Sequence, residues 1–453
     1  MTGAMLGDAR RSERLEDMVE VLARKPGVSL PEAMGDEAAL EGAYRLLGND
    51  KVRPEDILAP HVALTVKRCA KEERVLVLFD TTEIRVGGER EELGYLTHEK
   101  GRGFLAHVGL AVKADGGAPL GVLHCETLVR RDLTKKGKKH SGPEKEALRW
   151  HRGVDAAYGL VPEGICVMDR EADVFTLINQ MDEREQEYIV RASQNRATPE
   201  GPLWELLDDT EVVTTRELEL PKRRPRKRAS AEKQHPARSA HTATLELRTR
   251  RVVLQTAHAN RQHAPNPTYV QVNLVHVLEL NPLEGDEPVE WILLTNLPCA
   301  SRKDVDFIVD SYCSRWVIEE FFKALKSGCA IEKRQLESVR SMTNMLAVSL
   351  PIAWLLLRLR HLSRDEPSRP AARLLSPLML KCLRVLLVAR NRRPLPKNPS
   401  CRELTWGIAA LGGHITNNGE PGLIVLGRGL ATLLEATAVA ETIIEAEEIV
   451  INL

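Results

Sequence analysis

The stretch SYCSRWVIEEFFKALK, residues 311–326, places four polar side chains on one helical stripe. At about 100° per residue, Tyr312, Arg315, Glu319 and Lys326 fall within roughly 60° of one another, while Val317, Phe321, Ala324 and Leu325 gather on the far side. A carboxylate flanked by cations and a phenol can hold a hard metal ion through oxygen and grip phosphate oxygens around it. Phosphodiester chemistry is what such a face would serve. The competing reading of the same spacing is an amphipathic surface helix with a solvated charged face. Two further acids close apolar runs: Asp80 in RVLVLFDTTEIRV and Asp169 in GICVMDREADVF. A strand-terminal Asp serves equally well as a helix cap or turn former, so neither acid is diagnostic alone.

The elements that must position these residues follow from periodicity. Residues 1–70 read as helices, ARRSERLEDMVEVLARK, DEAALEGAYRLLGND and PEDILAPHVALTVKRCAK, with turn residues between them. Arg10, Arg11, Arg14 and Arg45 on these helices fit a small DNA-reading module or an ordinary helical cap. From residue 73 the period changes to that of strands. RVLVLFDTTEIRV is expected to end as a buried strand at Asp80, and GFLAHVGLAV and PLGVLHCETLV complete an antiparallel meander. A charged helix over 143–158 leads to the strand that stops at Asp169, and EYIVRAS is a further strand. Two strand-terminal acids and one helical acid are what an RNase H-like sheet offers to metal ions.

Residues 201–288 read as a β-rich insertion. Its run PKRRPRKRASAEKQHPARSAH is too charged to bury and is expected to be a mobile, phosphate-attracting loop. LELRTRRVVLQT and TYVQVNLVHVLEL alternate as exposed strands would, and WILLTNLP returns to the sheet before Asp304 opens the next helix. Beyond residue 338 the chain is helical to about 389, broken near Pro367 and Pro370. After RNRRPLPKNPS a last helical unit runs from Glu403, ending in an amphipathic stretch that would dock on its own domain or on a second subunit.

A chain of 453 residues holds two or three domains. The 64 basic and 64 acidic residues cancel, which neither favours nor excludes nucleic acid, because local patches bind phosphates. Eight cysteines without a CxxC pair argue against zinc and against a disulfide framework, and read as reduced cytoplasmic thiols. No signal segment opens the chain. The apolar run 345–357 is short for a bilayer and contains Pro351, so it reads as a buried helix of a protein with no membrane partner.

With Asp80, Asp169 and Glu319 in view, the chain resembles the DDE transposases of the insertion-sequence-four family, nearest the transposon-five branch. The carrying motifs are the Y-x2-R-x3-E-x6-K signature at Tyr312, Arg315, Glu319 and Lys326, DTT at Asp80, and DREAD at Asp169 to Asp173. LGDARR, EGAYR, WILLTN, RWVIEEF and LTWGIAALGG extend the likeness over nearly the whole chain. The resemblance implies an α/β protein: an RNase H-like catalytic domain over 71–370 interrupted by the β-rich insertion, an N-terminal helical domain over 1–70 that binds transposon ends, and a C-terminal helical dimerisation domain over 371–453. It implies two Mg²⁺ ions, replaceable by Mn²⁺, held by Asp80, Asp169 and Glu319. The partners implied are double-stranded DNA, as transposon-end inverted repeats and target, and a second copy of the chain. Trp291 would be the aromatic wall for a displaced base, with Arg191 and Tyr312 on the adjacent phosphate.

Two departures stand out. LGDARR comes almost at the start, where the family carries a further helix before it, so either end recognition is altered or the start is misassigned. Arg216 occupies a position where the family places an aromatic residue near the displaced base. The activities that compete are cut-and-paste transposition, metal-dependent nuclease action without strand transfer, and regulation by a DNA-binding relative that has lost catalysis. An RNA-associated basic protein is disfavoured by the balanced charge and the absence of a stacking-aromatic motif.

Overall fold

The computed structural model describes residues 3–24, 27–87, 92–96, 101–130, 146–220, 238–256, 269–371, 374–415, 417 and 419–451. The basic run expected as a mobile loop lies mostly at 221–237, outside the described residues. The chain folds as two compact units, residues 1–149 with 316–453, and residues 150–315.

In the first unit, helix α1 (Ala9–Arg24) buries Leu15, Met18 and Leu22, one apolar stripe at helical spacing. Short α2 (Leu30–Met34) and α3 (Glu37–Gly48) follow, capped by Ser29 and Asp36, and then α4 (Pro54–Cys69) with Pro at its first turn. Strand β1 (Val75–Val86), short β2 (Gly94–Tyr95), β3 (Arg102–Lys113) and β4 (Pro119–Leu128) form the expected antiparallel set around β3. One expectation is corrected here: β1 does not end at Asp80 but continues to Val86, because its pairing with β3 runs unbroken from Val75↔Lys113 to Val86↔Arg102.

The second unit opens within α5 (Leu148–Leu160), a later start than the sequence pattern indicated. Strand β5 (Ile165–Met168), α6 (Phe175–Glu183) and β6 (Tyr188–Arg191) follow, with β5 and β6 parallel. The short pair β7 (Ala197–Thr198) and β8 (Gly201–Pro202) precedes the long strands β9 (Glu211–Leu220), β10 (His241–Gln255), β11 (Tyr269–Glu279) and β12 (Glu290–Thr295). These run antiparallel in the order β6-β12-β11-β10-β9, so WILLTNLP does return to pair with EYIVR. LELRTRRVVLQT and TYVQVNLVHVLEL, expected as exposed strands, keep some exposed positions but bury many of their side chains. Leu245, Leu247, Val252 and Leu254 of β10, and Val272, Leu274, Val275 and Val277 of β11, are buried. β11 lies between two strands and under α6, which leaves it little solvent. Helix α7 (Arg302–Cys313) closes the unit, opened by a capping box between Ser301 and Asp304.

The chain then returns to the first unit through α8 (Trp316–Lys323), a π-turn at Ala324–Gly328, α9 (Val339–Asp365), α10 (Pro377–Ala389), α11 (Cys401–Leu411) and α12 (Leu423–Ile451). The single helix read over 311–326 is therefore three pieces. Ser314 N–H and Oγ both donate to the Asp310 carbonyl at 3.0 Å, and Arg315 N–H turns to Tyr312 O at 3.1 Å, which tightens and stops α7. After α8, Cys329 N–H reaches Ala324 O at 2.9 Å, five residues back, so the register also slips beyond Lys323.

Helix α9 and the 423–444 part of α12 are long and apolar enough to cross a membrane by composition. Most of α9 is instead a core helix packed on α3, α4, β4 and α11. Asn344, fully buried on α9, donates to Leu47 O at 2.8 Å and Val52 O at 3.2 Å, and Trp354 Nε1 donates to Pro119 O at 3.1 Å. On α12, Leu426, Leu430 and Leu433 are buried while Val439, Ile443 and Ile444 stay exposed.

His61 ties α4 to this core, its Nε2 accepting from Val122 N–H at 3.0 Å. Burial, reinforced by the Arg68 charge, pushes its pKa down to about 3. The folded protein holds the ring neutral, whereas the unfolded chain takes up a proton near pH 6.5. Its stabilisation is thus complete above that pH and lost as pH falls toward 3, by about 2 kcal/mol between pH 6.5 and 5. Thermal melts from pH 7 to 5 should fall less steeply in His61→Gln, whose amide oxygen still accepts from Val122. Equal slopes in the two proteins would remove this role. At the α11–α12 contact, a Cβ on Gly429 would lie 1.7 Å from the Ile408 carbonyl oxygen, whereas one on Gly422 meets nothing within 4 Å. Gly429→Ala should cost roughly 1–3 kcal/mol by overpacking, seen as a lowered melting temperature, with Gly422→Ala as the unaffected control.

Candidate active site

In the first unit, β1 is fully buried from Leu76 to Phe79 and becomes half-exposed at Asp80, Thr81 and Thr82. The apolar run fixes the strand, and the acid stands at a half-exposed break of three residues between buried Phe79 and buried Glu83. Asp80 Oδ1 accepts from the Thr81 N–H at 2.7 Å. Thr81 is held from two sides, its Oγ1 bonded to His107 Nδ1 at 2.9 Å and to Arg149 Nε at 2.9 Å. His107 and Arg149 are both buried, and His107 is Thr81's cross-strand partner. The backbone carrying Asp80 is thus pinned by groups that sequence reasoning missed. Only strand register brings His107 beside Thr81.

Glu319 sits half-buried in the first turn of α8, whose Ile318, Phe321 and Phe322 are buried. This helix packs on β1, so Asp80 and Glu319 belong to touching elements of one unit. Lys326 lies on the π-turn and pairs through Nζ with Glu332 Oε1 at 3.2 Å, an oxygen that also accepts from Arg85 N–H at 3.1 Å. Among the N-terminal arginines, Arg10 is exposed beside Asp8, and Arg45 is exposed and pairs with Glu41. Arg11 Nη1 donates to Leu6 O at 2.7 Å, and the Arg14 guanidinium fills the space beside Gly42 of α3. The last two therefore also serve the packing of α1.

In the second unit, Asp169 directly follows the fully buried β5 and caps a 3₁₀ turn, its Oδ1 accepting from Glu171 N–H at 2.9 Å. Helix α7 packs on β5 and carries Tyr312, which is 5% exposed rather than on a solvated stripe. The Tyr312 ring meets the Trp291 ring edge-on, centroids 5.4 Å apart at 61°. Its hydroxyl is bonded to Arg191, whose Nη2 also donates to Glu290 O at 2.9 Å. Burial raises the Tyr312 pKa, against the Arg191 and Arg315 charges that pull it down, so the phenol stays neutral while its oxygen accepts from Arg191. Burial lowers the Arg191 pKa. The register Leu293↔Arg191 puts Arg191 on the same face of the sheet as Trp291, two residues along β12. Trp291, Arg191 and Tyr312 are thus one cluster, with the Arg315 charge close by.

Arg216 on β9 pairs with Asp310 at 2.8 Å and with Asp306 at 3.4 Å, tying α7 to the sheet. Here the residue that departs from the family pattern is a structural tether. The second Asp of DREAD, Asp173, is buried and bonded to the Ser193 and Gln194 N–H groups at 2.7 and 2.9 Å and to Arg196. Its proximity to Asp169 was visible in the motif, but its partners were not.

Carboxylates are the hard oxygen donors that divalent cations of the Mg²⁺ class select, and each retains accepting capacity beyond one N–H bond. The residue types at 80, 169 and 319 therefore fit such an ion. Among the described residues, no group of three or more His, Cys, Asp or Glu side chains is gathered closely enough to enclose one.

Comparison with known proteins adds an independent line. Among solved structures, the chain is similar to a piggyBac transposase synaptic complex with hairpin DNA determined by cryo-EM, at 10% identity over 81% of this chain and 69% of that chain, with a TM-score of 0.37. That likeness is too distant to carry argument. Residues 1–52 match the family model for transposase DNA-binding, and residues 71–355 match that for the transposase DDE domain, whose members generally use divalent metal ions on an RNase H-like core. As the DDE match alone spans more than half of the sequence, the chain belongs to the DDE transposase family.

Proposed function

We propose that this DDE transposase works by cut-and-paste, as a member of the insertion-sequence-four family close to the transposon-five branch. The observation that supports it most is the paired placement of acids and phosphate-binding groups on packed elements. Asp80 on β1 lies under the helix bearing Glu319, and Asp169 ends the strand covered by the helix bearing Tyr312. Asp80, Asp169 and Glu319 would hold two Mg²⁺ ions, replaceable by Mn²⁺, which when bound supply activation of the attacking water or 3′-hydroxyl and neutralise charge on the leaving oxygen. Asp80 and Asp169 are each oriented by a neighbouring backbone N–H, so these two need little rearrangement on loading. Arg315 and Lys326 would take phosphates beside the scissile bond, Lys326 exchanging Glu332 for DNA. Positioning and charge neutralisation then carry nicking, hairpin formation, hairpin opening and strand transfer in turn.

In this reading residues 1–70 bind the inverted repeats at the transposon ends, with Arg10 and Arg45 as exposed contacts. Residues 71–370 cut and join, and residues 371–453 bring two copies together in a cytoplasmic, nucleoid-associated synaptic dimer. A nuclease of the same fold would cut without joining ends to target DNA, and a silent regulator would bind without cutting. Asp80→Ala, Asp169→Ala and Glu319→Ala should each abolish divalent-metal-dependent nicking of end DNA while gel-shift affinity stays near wild type. Wild-type nicking by any of the three would falsify the assignment of that residue.

The Trp291 ring, half-exposed against Tyr312 and near Arg191, can stack a base displaced from the duplex, worth roughly 1–3 kcal/mol. Trp291→Ala should fold, bind ends and make the first nick, then stall before the hairpin. A time course on labelled ends, with thermal melting as the control, separates this from a core role, in which nick and hairpin are lost together at a lowered melting temperature.

A further inference from the structure

Two arginines of the first unit crowd one tryptophan. The Arg68 guanidinium carbon lies 4.2 Å, and that of Arg358 5.5 Å, from the ring centre of Trp354 on α9. The indole itself is fixed, its Nε1 donating to Pro119 O at 3.1 Å and its face met edge-on by the His61 ring at 5.3 Å. Stacking on a fixed ring holds a guanidinium plane in place and leaves its N–H edge able to donate. All three residues are half-buried, so none is closed off from solvent. Pro119 stands level, through β3, with Leu76 of β1, which places the cluster about four residues, roughly 13 Å of strand, before Asp80.

The two charges lack the counter-charge that half-buried cations ordinarily bring with them. Arg68 spends one of its five N–H donors on Leu120 O, at 3.0 Å, and among the described residues Arg358 makes no hydrogen bond or ion pair. The two carboxylates whose charge reaches Arg358 are already engaged, Glu72 with Lys113 at 3.2 Å and Glu366 with Arg369 at 2.6 Å. Burial lowers the pKa of both arginines, and the Arg358 charge lowers that of Arg68 further. A guanidinium keeps its proton regardless, so the repulsion stays in the folded protein. Exposed Lys67 and Lys71, at the end of α4, extend the positive surface around Arg68. A pair kept only for packing would not need two like charges on one ring. A phosphodiester supplies what is missing, an anion that accepts two parallel N–H bonds from a guanidinium fork.

We propose that Arg68 and Arg358, held on Trp354, grip backbone phosphates of duplex DNA at a contact separate from the reacting acids. The proposal rests on the DNA-transposase reading and adds to it an anchor on the unit that carries Asp80 and Glu319. Phosphate contacts position a duplex without reading its sequence. The test measures binding of the full-length chain against salt concentration, without divalent metal, on one duplex carrying the transposon end and one unrelated duplex. Arg358→Gln should flatten the salt dependence by about 0.9 of a unit, and Arg358→Lys should keep the wild-type slope. Because it relieves repulsion, Arg358→Gln should melt no lower than wild type. Flattening on both duplexes assigns the phosphates to any duplex, target included, and flattening on the end duplex alone assigns them to the transposon end; either upholds the site. An unchanged slope on both in a folded Arg358→Gln overturns it. If that variant does not fold, phenylglyoxal modification of the wild-type chain decides, read by mass spectrometry. Duplex DNA should protect Arg68 and Arg358, and equal modification with and without DNA overturns the site. Absence of metal-dependent end cleavage by the wild type, with the slope change intact, would count against the transposase reading alone. Cleavage with an unchanged slope would count against this site alone.

Discussion

The buried Asp173 carboxylate organises the second unit. Burying a charge is costly unless it is paired and saturated with hydrogen bonds. Asp173 meets that condition by drawing two backbone N–H groups and the Arg196 guanidinium onto its two oxygens. The loop after β6 is thereby fixed to the turn after β5. Because Asp169 opens that turn and Arg191 ends β6, one satisfied charge sets the separation between these two candidate site residues. Removing either partner of such a pair leaves the other buried and uncompensated, which is why the geometry is rigid.

A second constraint acts on the signature segment. The break after α7 and the π-turn after α8 divide Tyr312, Arg315, Glu319 and Lys326 among three local conformations. A straight helix would force all four onto one solvated stripe. The break lets Tyr312 bury its ring against Trp291 while Glu319 starts a new helix. The π-turn advances Lys326 toward Glu332. Irregular helix geometry here does what a regular repeat could not: it gives each residue of the motif its own environment. Arg216, bridging two aspartates of α7 to β9, holds the last regular helix before the break.

The first unit achieves rigidity by other means. Around Asp80 it uses a hydrogen-bonded chain from buried Arg149 through Thr81 to buried His107, placed by antiparallel register. Around α9 it uses a nearly all-round buried helix whose few polar groups, Asn344 foremost, satisfy backbone carbonyls of the N-terminal helices. The DNA-binding match and the C-terminal end of the DDE match are therefore joined by packing.

Local pattern by itself determined much of this protein. Acids at the ends of apolar runs, the Y-R-E-K spacing and the change of period near residue 73 marked the residues to watch, because each depends only on neighbours in the chain, and the motif resemblance pointed to DDE transposases, the family that the domain match shows. The strand at EYIVR and the helix opening at Asp304 were equally local. Tertiary structure decided what distant partners control. The alternating strands LELRTRRVVLQT and TYVQVNLVHVLEL looked exposed, yet neighbouring β10 and β12 and helix α6 cover β11, and those partners lie outside the strand's own sequence. Asp80 looked strand-terminal, yet pairing with β3 carries the strand six residues further. Tyr312 looked solvated on a helical wheel, yet Trp291 and Arg191, far away in sequence, bury it. Register, burial and charge pairing arise between segments that a linear reading cannot bring together, and these fixed the surroundings of residues whose identities the chain had already declared.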